Sequence, residues 1–583
     1  MISARIITFL FLSIPFFSFT QTQTEYWDEN KKKVKLIQDF VKGRAQGRYL
    51  TYYQNGNPAC KGWYWFGKED SVWTYYYESG NVKSKVSFQL GRKHGANFFY
   101  YENGKLEQQT FFIQDKEDSV WTTWFSDGRQ KSREEFRLGK KQGEWKYWYE
   151  NGNLQSSGRF INDAKQGEML NYFSNGNLSV SGNYCSDKKC GVWKEFYSNG
   201  KPKLEKEYKD SLEYLWNVWN ESGIQSIKNG EGTFQLVWPN GVTRAHGNYI
   251  GGRQNGKWRY HHQDATPHYE VFLQNGLMHG IYLEFFDNGN KSVEGLYERG
   301  IKSGLWTWYY KNGKKEMQGT LVSGKKHGQW SYWFENGKKE STGNYSDDLE
   351  EGIWTFWYKA GADWKKGNYA SGKKNGVWIT WFENGNKLQE GNFFDDKEQG
   401  IWKSWYENGN QLSTGKFAGG VMDSVWRFFY PSGNPSSVVN FVKGKKHGKW
   451  ISWFDRTDKI QEQGEYWYDL KIGYWTTYNL KGGTIDMEGK YNKVGKQTGK
   501  WRYYFPEGGL MQEQNYKDGR LSGKSFSYYQ GGAMKSISEY KIIKEKGKGK
   551  STQFQSVPHG DWVFYDMQGR ELSRLRYDKG KKK

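Results

Sequence analysis

Gly143-Glu144-Trp145-Lys146-Tyr147-Trp148-Tyr149-Glu150-Asn151-Gly152-Asn153 is the stretch whose reading decides the fold. Aromatic and polar residues alternate up to Glu150, then Asn-Gly interrupts, then a second polar and apolar run reaches Phe160. Alternation with period two is a strand signal, and Asn-Gly between two such runs is a hairpin signal. With Asn151-Gly152 as a two-residue type I′ loop, Glu150 faces Asn153. Counting back, Tyr149 meets Leu154, Tyr147 meets Ser156, Trp145 meets Gly158 and Gly143 meets Phe160. These residues share one face, because side chains alternate across a strand.

The pattern recurs. Its first aromatic stands at Trp306, Trp330, Trp354, Trp378, Trp402, Trp426 and Trp450, each 24 residues after the last. Tyr49, Trp73, Trp121, Trp145 and Trp193 keep the same beat, with Asn97 and Met169 in its gaps. A fixed period of this length signals a repeat array, in which each small unit buries its apolar face against its neighbours. The same register sets Trp330 opposite Gly343, Trp354 opposite Gly367 and Trp378 opposite Gly391. A ring laid over glycine covers backbone that glycine leaves bare. The expected fold is all-β: an elongated, twisted antiparallel array of about 22 hairpin units of about 24 residues.

Composition agrees. Only 36% of the 583 residues are hydrophobic, yet 19% are aromatic, with 31 Trp and 43 Tyr. Low aliphatic content points toward disorder, but disordered chains are poor in rings, so this chain buries surface through aromatics. Gly at 72 and Pro at 9 suit tight turns rather than flexible linkers. A formal charge of +22 favours anionic surroundings.

Arg5 followed by the apolar Ile6–Phe19 stretch reads as a secretory signal, with cleavage near Thr20, and is short for a membrane span. An uncleaved anchor is the alternative. The expected division is a signal peptide over 1–20, a capping hairpin over 21–48, the repeat array over 49–540, a Lys-rich exposed loop over 541–557, and a last repeat with a basic tail over 558–583. The expected location is outside the cytoplasm: periplasm, cell surface or medium. No later segment is apolar enough to span a bilayer. Cys185 and Cys190 flank one inter-repeat turn, so an exported chain can staple them, with two free thiols as the alternative; Cys60 has no evident partner.

Gly367-Asn368-Tyr369-Ala370-Ser371-Gly372-Lys373-Lys374-Asn375-Gly376-Val377-Trp378 resembles the MORN repeat. The extension Trp378 to Asn386 resembles the bacterial MORN-repeat-variant group, which includes YwqK-like proteins labelled antitoxins. Serine replaces the starting glycine at Ser71, Ser119 and Ser424. The resemblance implies a β-sheet scaffold that binds protein or acidic lipid, and it supplies no catalytic residues. An antitoxin would imply a cognate toxin.

Two rows are candidate binding sites. One turn edge carries basic pairs: Arg92-Lys93, Lys140-Lys141, Lys188-Lys189, Lys325-Lys326, Lys373-Lys374 and Lys445-Lys446. A row of cations repeating every two strands, about 10 Å, suits avid binding of a polyanion; solvated turn lysines are the bland alternative. The other row is aromatic: Trp148, Trp333, Trp357, Trp381 and Trp405 fall on the otherwise polar face. Exposed rings in line stack sugars or bases; packing between hairpins under lysine stems is the alternative. His-Gly turns at His94, His279, His327, His447 and His559 stand too far apart to share a metal, and the denser His261-His262 and His268 group has no companion acid placed by spacing. No nucleophile elbow, phosphate loop or dinucleotide fingerprint appears. The expectation is an exported, non-enzymatic scaffold without cofactors, binding a protein partner or an anionic polysaccharide or lipid surface, with nucleic acid disfavoured by export. A cognate toxin, or a polysaccharide substrate attacked by a carboxylate pair, are the competing readings.

Overall fold

The computed structural model describes residues 20–481, 483–546 and 552–583, so the expected signal peptide lies almost wholly outside the described residues. The described residues form 51 β-strands and no helix. They divide into two units: those up to Ala265 with Phe272–Leu277, and Thr266–Val271 with Met278–Lys583. Within each unit, strands pair antiparallel with their sequence neighbours. The first hairpin joins Thr20–Tyr26 to Val34–Val41.

The register holds in the body of each hairpin and departs at its tip. Gly143 pairs with Phe160, Trp145 with Gly158 and Tyr147 with Ser156, as expected. Trp148, not Tyr149, pairs with Leu154. The loop has three residues rather than two. Tyr149 N–H donates to Asn153 O over 2.9 Å, and Gly152 N–H donates back to Tyr149 O over 2.9 Å. Only Gly152 among the three loop residues takes a positive φ, 91°. This is a type I turn closed by a left-handed glycine. Skipping Gln155 as a bulge then restores the register below it.

The type I′ turns lie at the opposite edge. Ser323 and Gly324 have φ of 51° and 81°, and Asp347 and Asp348 have 50° and 70°. As two-residue loops they join the paired residues Val322 and Lys325, and Ser346 and Leu349. The serines that replace glycine at Ser71, Ser119 and Ser424 also hold positive φ, of 61°, 59° and 58°. Each donates its hydroxyl to the preceding aspartate, Asp70, Asp118 or Asp423.

Trp330 pairs with Gly343, but the ring over Gly343 belongs to Trp354 of the following hairpin. A Cβ at Gly343 would sit 2.1 Å from that indole. Gly319 lies likewise under Trp330, and Gly367 under Trp378. Gly158 is an exception: the next unit offers Met169 instead of tryptophan, and Trp145 leans onto its own partner. Most of these indole N–H groups bond the strand behind, as Trp354 Nε1 does to Asn344 O over 3.1 Å, whereas those of Trp73, Trp145 and Trp450 are buried without a partner. Tyr345 stands edge-on to Trp354 at 5.1 Å and 84°. Trp306, Trp330 and Trp354 are at most 3% exposed. The aromatic face is thus buried by its own neighbouring strands.

Of the expected loop over 541–557, residues 541–546 and 552–557 are corrected to strand, and 547–551 lie outside the described residues. Lys541 pairs with Val557, Ile543 with Gln555 and Lys546 with Thr552, extending the hairpin beyond its usual length. Ile542 and Ile543 are half-buried and Val557 is buried. Ser556 Oγ also donates to Leu521 O over 2.8 Å, and Arg520 Nε to Phe554 O over 2.6 Å. The lysine content masked the strand-favouring Ile542-Ile543 pair.

Candidate binding rows

The basic pairs are split by the strand itself. Adjacent residues point to opposite faces, so one cation of each pair meets solvent and the other turns onto the rings. Lys326 Nζ lies 4.6 Å from the Trp330 ring and 4.8 Å from Tyr345. Lys374 lies 5.0 Å from Trp378, Lys446 4.6 Å from Trp450, Lys141 5.2 Å from Phe160, and Lys93 5.1 Å from Phe112. Burial lowers the Lys326 ammonium below the usual lysine range. The backbone N–H groups of Lys93, Lys141, Lys326, Lys374 and Lys446 each bond an aspartate of the next turn: Asp115, Asp163, Asp348, Asp396 and Asp469, at 2.8 Å. The second cations therefore pack the scaffold.

The first residues of the pairs, Arg92, Lys140, Lys188, Lys325, Lys373 and Lys445, are exposed. The structure adds cations that the pair pattern missed. Lys68 and Lys116 occupy the same post-turn position as Arg92 and Lys140, and Lys397 the same position as Lys373. Lys68, Arg92, Lys116 and Lys140 thus form four consecutive rungs in the first unit. Lysine stems at this position lie over the next turn's glycine, Lys68 over Gly91 and Lys116 over Gly139, which holds the heads in line. In the second unit the row mixes Lys325, Lys373, Lys397 and Lys445 with Ile301, Leu349 and Val421. The signal for the missed lysines was their 24-residue spacing rather than a neighbouring basic residue.

Trp148, Trp333, Trp357, Trp381 and Trp405 are half-buried, each at the end of a hairpin's first strand. Lys315, Lys339 and Lys387 place ammonium groups 5.7, 6.0 and 5.6 Å from Trp333, Trp357 and Trp405. A second apolar row on that face was not read from the sequence. Leu305, Ile353, Val377, Ile401 and Val425, each just before a buried tryptophan, are 58%, 59%, 53%, 59% and 44% exposed.

Cys185 and Cys190 form a disulfide across the Ser186-Asp187 turn. Cys60 is a buried free thiol, which burial pushes up to about 12. Among the described residues, no group of three or more His, Cys, Asp or Glu is placed to hold a metal ion. His447 packs on Trp467 at 4.5 Å instead. A groove of about 470 Å³ in the second unit is lined by Tyr474, Glu488, Lys490, Lys500 and Arg502. Its Glu488 accepts from Tyr504 Oη at 2.8 Å and from Arg502 at 3.5 Å. No helix among the described residues is long and apolar enough to cross a membrane.

The repeating unit seen here, a short hairpin entered from a basic turn, matches a known pattern. The MORN repeat variant fits residues 69–90, 93–114, 141–162, 165–186, 189–210, 278–299, 302–322, 326–347, 374–395, 398–415 and 497–518. The chain belongs to the MORN-repeat-variant family. A matched MORN segment corresponds to one hairpin, as 141–162 takes in Gly143 to Phe160, although 398–415 stops within the second strand of its hairpin. No curated protein matches the chain. Among solved structures, the TcdB2-TccC3-Cdc42 complex is similar at 9% identity over 96% of this chain and 35% of that one, with a TM-score of 0.11. The Photorhabdus luminescens Tc holotoxin pore is similar at 10% identity over 97% and 34%, with a TM-score of 0.12. The chain spans about a third of the length of those chains.

Proposed function

We propose that this MORN-repeat-variant protein is an exported, non-enzymatic scaffold that binds an anionic envelope polymer, or an acidic protein surface, by avidity. The observation that carries the reading is the outward row Lys68, Arg92, Lys116 and Lys140, one exposed cation per hairpin in four consecutive hairpins. Each rung binds weakly, because an exposed ion pair contributes about 0–1 kcal/mol. Linked rungs convert later contacts into intramolecular ones, so affinity grows with the number engaged. Such binding weakens steeply with salt. The near-identity of successive units favours repeated contact over a single reactive centre, which supports a binding role rather than catalysis.

The test uses poly-glutamate and vesicles containing acidic phospholipid, at low and physiological salt. Reversing Lys68, Arg92, Lys116 and Lys140 to glutamate should remove binding, with graded loss as each is changed. Reversing any one should weaken it only a few-fold. An unmodified protein that binds neither probe at low salt would sink the reading.

A further inference from the structure

The other long edge of the second unit carries a row with a different chemistry. Trp333, Trp357, Trp381 and Trp405 end the first strands of four successive hairpins. Between them, on the intervening strands, stand their cross-strand partners: Lys339 opposite Trp333, Asp363 opposite Trp357, Lys387 opposite Trp381 and Gln411 opposite Trp405. Tyr309 and its partner Lys315 precede them. Rings therefore recur every two strands, about 10 Å, with a cation in the interval at Lys315, Lys339 and Lys387. Each of these lysines also approaches the ring that follows it. The backbone beneath is pinned: Tyr310 Oη donates to Trp333 O and Tyr358 Oη to Trp381 O, both at 2.8 Å. Ring and cation positions are thus set by the hairpins themselves.

We infer that this row is a binding site for an acidic β-linked polysaccharide with one carboxylate per disaccharide. In such a polymer successive sugars are turned over, so the same C–H face recurs at every second sugar, a length comparable to the two-strand step. A flat C–H face matches an indole, as aromatic platforms hold other flat rings. The carboxylate of the alternate sugar falls where the lysine stands, and takes the ammonium that now lies over the ring, at Lys315 and Lys387 in exchange for its present bonds to Gln318 at 3.1 Å and Glu390 at 2.7 Å. Asp363 takes the lysine position between Trp357 and Trp381, so that interval should contribute stacking without a cation. Single-stranded nucleic acid fits less well, because its bases stack about 3.4 Å apart and its charges recur at every base. The site is distinct from the basic turn edge: Lys325 and Trp333 lie eight residues apart along one strand, about 26 Å.

The experiment titrates the full chain with hyaluronan oligosaccharides of graded length, neutral cello-oligosaccharides, poly-glutamate and oligo-dT, following tryptophan fluorescence and calorimetric Kd. Hyaluronan should bind more tightly with each added disaccharide and quench fluorescence; the neutral glycan should bind more weakly. Trp357→Ala and Trp405→Ala should each weaken hyaluronan about tenfold, the order expected for one lost stacking contact. Lys339→Gln should weaken hyaluronan and leave the neutral glycan unchanged, and Trp357→Phe should retain most binding. Ile353→Ser and Ile401→Ser, on the neighbouring aliphatic row, should change nothing. The four-residue charge reversal on the first unit should abolish poly-glutamate binding and spare hyaluronan. Hyaluronan binding lost only in that reversal, or oligo-dT binding more tightly than hyaluronan, overturns the glycan site while leaving the edge reading intact. Hyaluronan binding that survives the combined substitution Trp333→Ala, Trp357→Ala, Trp381→Ala and Trp405→Ala overturns it as well.

Discussion

Gly343 lies beneath the indole of Trp354, eleven residues ahead in the chain, although its own cross-strand partner is Trp330. The glycine is required for space rather than for backbone freedom, since Gly343 does not take a positive φ. This contact couples each hairpin to the next. Gly343→Ala forces a methyl group into ring carbons 2.1 Å away. Overpacking of this kind costs about 1–3 kcal/mol. Gly385, with nothing near its missing Cβ but a φ of 89°, should lose less, through backbone strain alone. Comparing the two alanine variants by denaturant unfolding checks the difference; equal losses would contradict it.

The hairpin tips should unlace one bond at a time. Asn336 Nδ2 donates to Lys359 O at 3.0 Å, and its Oδ1 accepts from Lys338 N–H at 2.9 Å. The same stitch recurs from Asn312 to Glu335 and from Asn384 to Glu407. Asn336→Ala should destabilise its hairpin by about 0.5–1.5 kcal/mol, the worth of a net hydrogen bond. Amide exchange at Lys338 should accelerate while the buried strand Leu349–Trp357 keeps its protection. Unchanged exchange at Lys338 would mean that the stitch is not formed.

The N-terminal hairpin carries a buried acid that should make it sensitive to low pH. Asp39 is 8% exposed and accepts from Thr22 Oγ1 at 2.8 Å and from Arg48 Nε at 2.9 Å. Burial pushes its carboxyl up, but the bonds from Arg48 and Thr22 together outweigh this and hold it below the usual carboxylate range. A depressed folded-state value means that the contribution is complete above the unfolded value, about 4. It is lost as pH falls below that toward the folded value. The first hairpins should therefore open before the rest of their unit in mild acid, and Asp39→Asn should remove the pH dependence at a cost of about 1–3 kcal/mol. Exchange at the Thr20–Tyr26 strand, followed from neutral to acid pH, reads both.

The three cysteines should separate cleanly by reagent. Cys185 and Cys190 should resist maleimide until reduced. Cys60, buried with its thiol pushed up to about 12, should stay unlabelled at pH 8 in the folded chain with or without reductant. Labelling of Cys60 should track unfolding of its neighbourhood. Rapid labelling in native conditions would place it at the surface.

The period, the ring positions and the register of each hairpin body were legible because alternating rings admit only one face. What escaped the sequence was decided between strands. Trp330 and Trp354 both reach the face of Gly343, and only packing assigns the second to it. Asn151-Gly152 suits either a two- or a three-residue loop; the stitch from Asn151 to Ser174 O accompanies the longer one. The Gln155 bulge then cancels the extra loop residue, which is why the inferred pairs below it still held. In the candidate rows, doublets such as Lys325-Lys326 read as one basic patch, yet alternation sends one cation outward and one onto Trp330. Lys68 and Lys116, lone in sequence, complete the outward row because their turn position matters and their neighbours do not.

The most direct measurement is a double-mutant cycle read by amide exchange of the strand Leu349–Trp357. Gly343→Ala is combined with Trp354→Leu in one cycle and with Trp330→Leu in the other. If each tryptophan seals the glycine of the hairpin before it, Gly343 couples to Trp354 by about 0.5–3 kcal/mol and to Trp330 by less than about 0.5 kcal/mol. Strong coupling to Trp330 with none to Trp354 would contradict the account, because the rings would then close individual hairpins instead of joining them.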